Sequence, residues 1–293
     1  MKIKLCALTD IGIERTNNED AVSICPDLSC RTWNHKDGNG YIPLSSLGAV
    51  SIVADGMGGA NAGEVASSLA IESIEKSFLC EDYEKILLSD KEIHFFLREC
   101  ISKANKAILD YVVKFPDAIG LGTTIVLLWA VKGKAYVTWC GDSRCYCFNP
   151  NSGLRLLTKD HSLVQEMVDN GDIKEEEAFN HPDNNIVTRC LGDVDAPPEP
   201  EIVTYDIQNG DIFLLCSDGL CGYCKDRKIE KVLYKYVDNI DECQRSLLQL
   251  ALKAGGQDNI SISMCATLVD GHEKYSMGLV GKLKRFIRKF YAL

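Results

Sequence analysis

Nowhere in the 293 residues does an apolar run reach the 18 or so residues that a membrane-crossing helix needs. The opening MKIKLCALTD is too weakly apolar for an export signal, so neither membrane spanning nor secretion is expected. Basic charge is also in deficit. With 32 Lys plus Arg against 42 Asp plus Glu the formal charge is −10, which speaks against a large basic face and hence against nucleic acid as a partner. Cys221 and Cys224 form a CxxC, but no second CxxC or paired His completes a zinc site, and two small core or turn residues are the simpler reading. No repeat of 20–50 residues is visible, which excludes solenoids and propellers.

What is present is an ordinary globular composition, 46% hydrophobic and 25% charged, at a length suiting one large domain or two small ones. The 14 cysteines follow no regular spacing and read as reduced thiols of a cytoplasmic protein. Apolar runs at 3–9, 49–54, 123–130, 134–140, 201–206, 211–216 and 260–268 predict strands, and Cys145 and Cys147 alternate in another. Helical spacing marks 63–79, 91–113, 161–170 and 240–254, with two helices expected between the last two strands. Strands in runs and helices in pairs suit an α+β layered architecture. Residues 26–47 read as a long loop or exposed hairpin, and 171–200 as a second irregular stretch.

Four aspartates stand next to strand-like runs and beside Gly, Ser or Asn: Asp55 in SIVADGMGG, Asp142 in YVTWCGDSR, Asp218 in IFLLCSDG and Asp258 in GGQDNISIS. Any one of them reads as an Asp-type turn. Four together present carboxylates from rigid positions, as a hard-cation site requires, and with no His or Cys cluster the fitting ions are Mg²⁺ and Mn²⁺. The glycines after Asp55 allow close backbone approach, so the Gly56 carbonyl is itself a candidate ligand. Arg15, four residues before Glu19 and Asp20, offers a planar fork of donors suited to phosphate oxygens, although alone it reads as a surface ion pair.

RTNNED, VADGMGG, GLGTT, GDSR, LTKDHSLVQEMVDNGDI, HPDNNIVTRCLG, LLCSDGL and GGQDN follow one another across roughly residues 3–268. In content and order these segments resemble the metal-dependent Ser/Thr protein phosphatases of the PPM, or type 2C, family in their bacterial form. The resemblance implies an αββα sandwich of four layers, two antiparallel sheets flanked by helices, over residues 1–270. It implies hydrolysis of phosphoserine and phosphothreonine in proteins by a hydroxide bridging two Mn²⁺ or Mg²⁺ ions, opposing a Ser/Thr kinase in signalling. Asp55 then bridges the ions, the Gly56 carbonyl binds the second, and Asp218 and Asp258 complete the first. Glu19 and Asp20 hold their waters, Asp142 with Asp218 recruits a third, weaker ion, and Arg15 binds the phosphate. Residues 160–195 correspond to a flap beside the cleft.

Where animal relatives place a candidate general-acid His after the Asp-Gly pair, this chain has Met57. The leaving-group proton must come from elsewhere. A water on the third ion is one source and His161 another, although a structural hydrogen bond is the simpler role for His161. Neither Cys140 nor Cys190 has the Arg of a Cys-x5-Arg loop, so no phosphoenzyme is expected.

Residues 271–293 carry six Lys or Arg and one acid, +5, leaving −15 on the rest. Apolar positions 279, 280, 283, 286, 287, 290 and 291 alternate with basic ones, the pattern of a basic amphipathic helix. It suits packing on the domain or a second copy, peripheral contact with the anionic inner face of a membrane through 279–293, or a protein partner. Two rivals to an active enzyme are a non-catalytic pseudophosphatase that binds phosphoproteins and a membrane-associated adaptor.

Overall fold

The continuous apolar runs of the central strands arise because both faces of each sheet are covered, so successive side chains enter different layers. In the strand Ala49–Ala54, Val50, Ile52 and Ala54 face a helix layer, while Ala49 and Val53 face the other sheet. In Ile260–Leu268, Ile260, Ile262, Met264 and Ala266 face the second helix layer and Cys265 points inward. Ser51 and Ser263 meet between the sheets at 2.7 Å, a satisfied polar contact within the apolar interior. The structure is a computed structural model that describes residues 1–35, 40–58, 63–79 and 82–268.

One sheet has six strands in the order Gly153–Leu156, Arg144–Asn149, Ile212–Cys216, Ile260–Leu268, Lys2–Asp10, Ile42–Pro43. The other has five, in the order Glu201–Asp206, Lys134–Cys140, Ile125–Val131, Ala49–Ala54, Ala21–Cys25. Every pairing in both is antiparallel. Helices Gly63–Leu79 and Asp90–Lys114 cover the five-stranded sheet, and Asp226–Lys235 and Ile240–Lys253 the six-stranded one. The four-layer αββα sandwich is thus present. Helix starts follow local chemistry: Ser89, Ser162 and Asn239 accept from the backbone N–H groups of Glu92, Gln165 and Glu242.

The strand expected over 123–130 is interrupted. Gly122–Thr123 pairs instead with Gly56–Met57, and the Ile125–Val131 strand begins beyond Thr124, whose N–H donates to the Asp55 carbonyl at 2.8 Å. The strands Ala21–Cys25 and Gly153–Leu156 were not expected, and of the two helices expected between the last two strands Asp226–Lys235 is the one whose bounds the sequence left open. The 26–47 excursion returns to the sheets at Asn34, which exchanges two backbone hydrogen bonds with Ile24, and at Ile42–Pro43. The basic 271–293 segment lies outside the described residues. Among the described residues no helix is long and apolar enough to cross a membrane.

Under the five-stranded sheet, Trp129 is fully buried, meets Phe78 and Phe96 edge-on at 5.2 and 5.7 Å, and donates to the Leu47 carbonyl at 2.9 Å. Trp129→Ala is expected to cost about 3–5 kcal/mol, read from urea denaturation midpoints, because it leaves a large cavity and an unpaired carbonyl.

Candidate active site

The site lies at one end of the sandwich, where loops from both sheets meet. Asp55 follows Ala49–Ala54 and Asp142 leads into Arg144–Asn149. Asp218 opens the short helix after Ile212–Cys216, and Asp258 precedes Ile260–Leu268. Glu19 and Asp20 precede Ala21–Cys25, and Arg15 lies in the loop before them. Asp55 is flanked electrostatically by Asp20, Asp218, Asp142 and Asp258, so the fold brings these aspartates together.

Backbone contacts explain the precision of this gathering. Asp55 donates through its N–H to Thr124 Oγ1 at 3.3 Å, and its carbonyl accepts from Thr124 N–H and from Thr123 Oγ1 at 2.8 and 2.9 Å. Thr124 Oγ1 in turn meets Ser143 Oγ at 2.7 Å, joining the Asp55 and Asp142 loops. A Cβ on Gly56 would fall 2.3 Å from the Gly63 carbonyl oxygen and 2.4 Å from that of Glu19, so only glycine lets the three backbones meet.

Asn259 is the joint on the opposite side. Its amide donates to the carbonyls of Ile11 and Asn17 at 2.9 Å each, and its Oδ1 accepts from Glu19 N–H at 2.8 Å. Ser217 donates to Asp20 Oδ2 at 2.8 Å and accepts from Ser261 N–H at 2.9 Å. Sequence reasoning assigned no role to Asn259, Ser217, Thr124 or Ser143, although each sits inside a recognised motif and Asn259, Ser217 and Ser143 adjoin a named aspartate.

Burial, then repulsion from neighbouring carboxylates, raises the pKa values of the cluster. Asp20 is pushed up to about 7 and Asp218 to about 6, while Asp55 and Asp142 stand well above the usual carboxylate range. Glu19 is raised mainly by burial, against the pull of Arg15. Arg15 Nη2 donates to Asp258 Oδ2 at 2.7 Å.

Among the described residues no three His, Cys, Asp or Glu side chains close into a ready-made ligand shell. The donor chemistry nonetheless suits a hard cation. The candidate ligands are oxygens, and Asp20 Oδ1 is buried without a hydrogen-bond partner, a cost that a positive charge or its water would relieve.

His161 takes the structural role. Its Nδ1 accepts from the Gly141 N–H at 3.1 Å, which places the proton on Nε2, facing Glu201 Oε1 at 3.2 Å, and the ring stacks on Trp139. Burial lowers its pKa, so the ring is neutral at pH 7. Cys221 and Cys224 are buried in the apolar core, the simpler of their two readings. Arg144 is committed to Asp160, through Nε at 2.9 Å and Nη2 at 2.6 Å, and to Tyr146 Oη at 3.0 Å.

A cavity of about 960 Å³ leads away from Asp142 and Asp218. Lys174, Glu175, Glu176 and Phe179 line it on the flap side, and Tyr223, Lys225 and Arg227 on the other. The flap is closed at its base by the pairing of Ser162 with Val187 and by hydrogen bonds from Leu163 N–H to the Ile186 carbonyl and from Thr188 N–H to the His161 carbonyl.

A family model described as protein phosphatase 2C matches residues 14–260, and the chain belongs to that family. It is 36% identical over 229 residues to a Listeria welshimeri serine/threonine phosphatase, covering 78% of this chain and 88% of that one. The crystal structure of the Mycobacterium tuberculosis serine/threonine phosphatase PstP/Ppp superposes with a TM-score of 0.74 at 30% identity, covering 92% of this chain and all of that chain. A structure of the PstP catalytic domain in complex with two manganese ions superposes at 0.73 and 30% identity, covering 92% and 99%. The chain is a protein Ser/Thr phosphatase.

An acid whose pKa is raised by folding holds its proton longer in the native state, so its stabilising contribution is complete below the unfolded value near 4 and is lost as pH rises through the folded value. For Asp20 and Asp218 that loss spans about pH 4 to 7. Chelator-treated protein should therefore gain more in melting temperature from added Mn²⁺ at about pH 7.5 than at about pH 5. Equal gains at both pH values would count against the carboxylate cluster as the cation site.

Proposed function

We propose that the chain hydrolyses phosphoserine and phosphothreonine in proteins by one direct displacement at the Asp55–Asp142–Asp218–Asp258 cleft, with two Mn²⁺ or Mg²⁺ ions. The observation that carries this reading is the gathering, in one cleft, of carboxylates from distant segments beside Arg15. When bound, the ion pair ionises a water to supply the nucleophile and offsets the charge of the phosphate. Asp55, Asp218, Asp258 and the Gly56 carbonyl would hold the ions, and Glu19 and Asp20 would anchor water in the cleft. Asp142, with Asp218, would hold a third, weaker ion.

Arg15 receives the phosphate oxygens through its planar fork. Its present partner is Asp258, so with Asp258 engaged as a cation ligand Arg15 would be available to the substrate. With Met57 unable to give a proton and His161 occupied, the leaving alkoxide takes its proton from water in the cleft. The rival reading as a non-catalytic module is not favoured, since every proposed side-chain ligand is an intact acid.

The activity requires an opposing Ser/Thr kinase as its biological counterpart. The 1–270 domain and the 271–293 basic segment are proposed as separate units in a cytoplasmic protein, with 279–293 making peripheral contact with an anionic membrane face.

Asp55→Asn and Asp218→Asn should each lower phosphopeptide turnover with Mn²⁺ by several orders of magnitude, whereas Arg15→Ala should chiefly raise KM. Undiminished turnover in Asp218→Asn would remove the proposed cation site. EDTA should abolish activity and Mn²⁺ restore it; activity indifferent to chelation would remove the ions from the mechanism.

A further inference from the structure

The segment that follows the cavity-lining Tyr223 is basic in a chain that is otherwise acidic, and its Lys225 and Arg227 line the cavity. Lys225–Lys235 holds five basic residues against Asp226 and Glu230, whereas the whole chain carries −10. Both acids are occupied locally: Asp226 accepts from Tyr146 Oη at 2.9 Å and lies 3.8 Å from Arg144 Nη1, and Glu230 accepts from Leu154 N–H at 3.2 Å. Lys225, Arg227, Lys228 and Lys231 are exposed and form no ion pair with a described residue. Arg227 and Lys231 are four apart on the Asp226–Lys235 helix and so share a face. Lys225 is held at the cavity by the ring of Phe179, 5.2 Å from its ammonium. Tyr223 lines the same wall between Lys225 and the catalytic Asp218.

We propose that Lys225, Arg227 and Lys231 bind acidic residues adjoining the phosphorylated Ser or Thr of the substrate and so select phosphoproteins with Asp or Glu at those positions. The inference rests on the phosphatase reading above and names the substrate class for that site. Single exposed ion pairs contribute little, but several cations meeting one acidic stretch act together and steer its approach. Lys174, Glu175 and Glu176 line the flap side of the same cavity. The arrangement acts at contact range, because screening in 0.1 M salt confines exposed charges to about 10 Å.

Two phosphopeptides that differ only in carrying either acidic or basic residues beside the phosphoserine test this with the full chain and Mn²⁺. The acidic peptide should show a kcat/KM about tenfold higher, residing in KM, and the advantage should shrink as salt is raised. The variant K225E/R227E should reverse the preference, a readout that simple destabilisation would not produce. Equal kcat/KM for both peptides in the wild type, or an unchanged preference in the variant, overturns the proposal. Fluorescence anisotropy of the same labelled peptides reads the binding preference without turnover. If neither peptide is hydrolysed yet the acidic one binds more tightly through Lys225 and Arg227, the catalytic reading fails and the recognition wall stands. Should K225E/R227E lose cosedimentation with phosphatidylserine vesicles while its peptide preference is unchanged, the wall belongs to a lipid surface and the proposal falls.

Discussion

Like charges confined in a buried cleft repel one another, and the molecule is organised around holding them there. Asp20, Asp55, Asp142 and Asp218 all titrate above the ordinary carboxylate range, chiefly because burial and mutual repulsion disfavour their ionised forms. Such a cluster opposes folding at neutral pH. The restraint comes from two apolar sheets and their helices, whose interior stability does not depend on the carboxylates. Arg15 and Asp258 are paired at the edge of this cluster.

The fold holds the Asp55, Asp142 and Glu19 segments through backbone and hydroxyl contacts, and Asp20 through its own carboxylate, which accepts from Ser217. Thr123 and Thr124 fix Asp55, Ser143 ties that loop to Asp142, and Asn259 sews the N-terminal loop to the Asp258 segment. At Gly56 three backbones approach more closely than any side chain permits. These are contacts between residues far apart in the chain, so the site forms only when both sheets are assembled.

The strands Ala49–Ala54, Lys134–Cys140, Glu201–Asp206 and Ile260–Leu268 were legible because each is a compact run of apolar or β-branched residues bounded by turn formers. Ala21–Cys25 was not, being five residues long and without alternation. The Asp226–Lys235 helix buries only Ile229 and Leu233, too few for its period to stand out among lysines. The strand expected to start at 123 breaks because Thr124 turns to bind Asp55, a tertiary demand with no local signal. At the site, motif order named the acids, but the pairing of Arg15 with Asp258 across 243 positions, and the use of both His161 nitrogens in structure, belong to the assembled fold.

The segment between Leu163 and Ile186 leaves the sandwich and returns to it at adjoining points, closed at its base by main-chain bonds. Its length and composition are therefore decoupled from the strands beneath. Insertions, deletions or whole-loop transplants between those two anchors leave the hydrophobic layers untouched, so this excursion is a place where lineages sharing one reaction diverge in what they act upon.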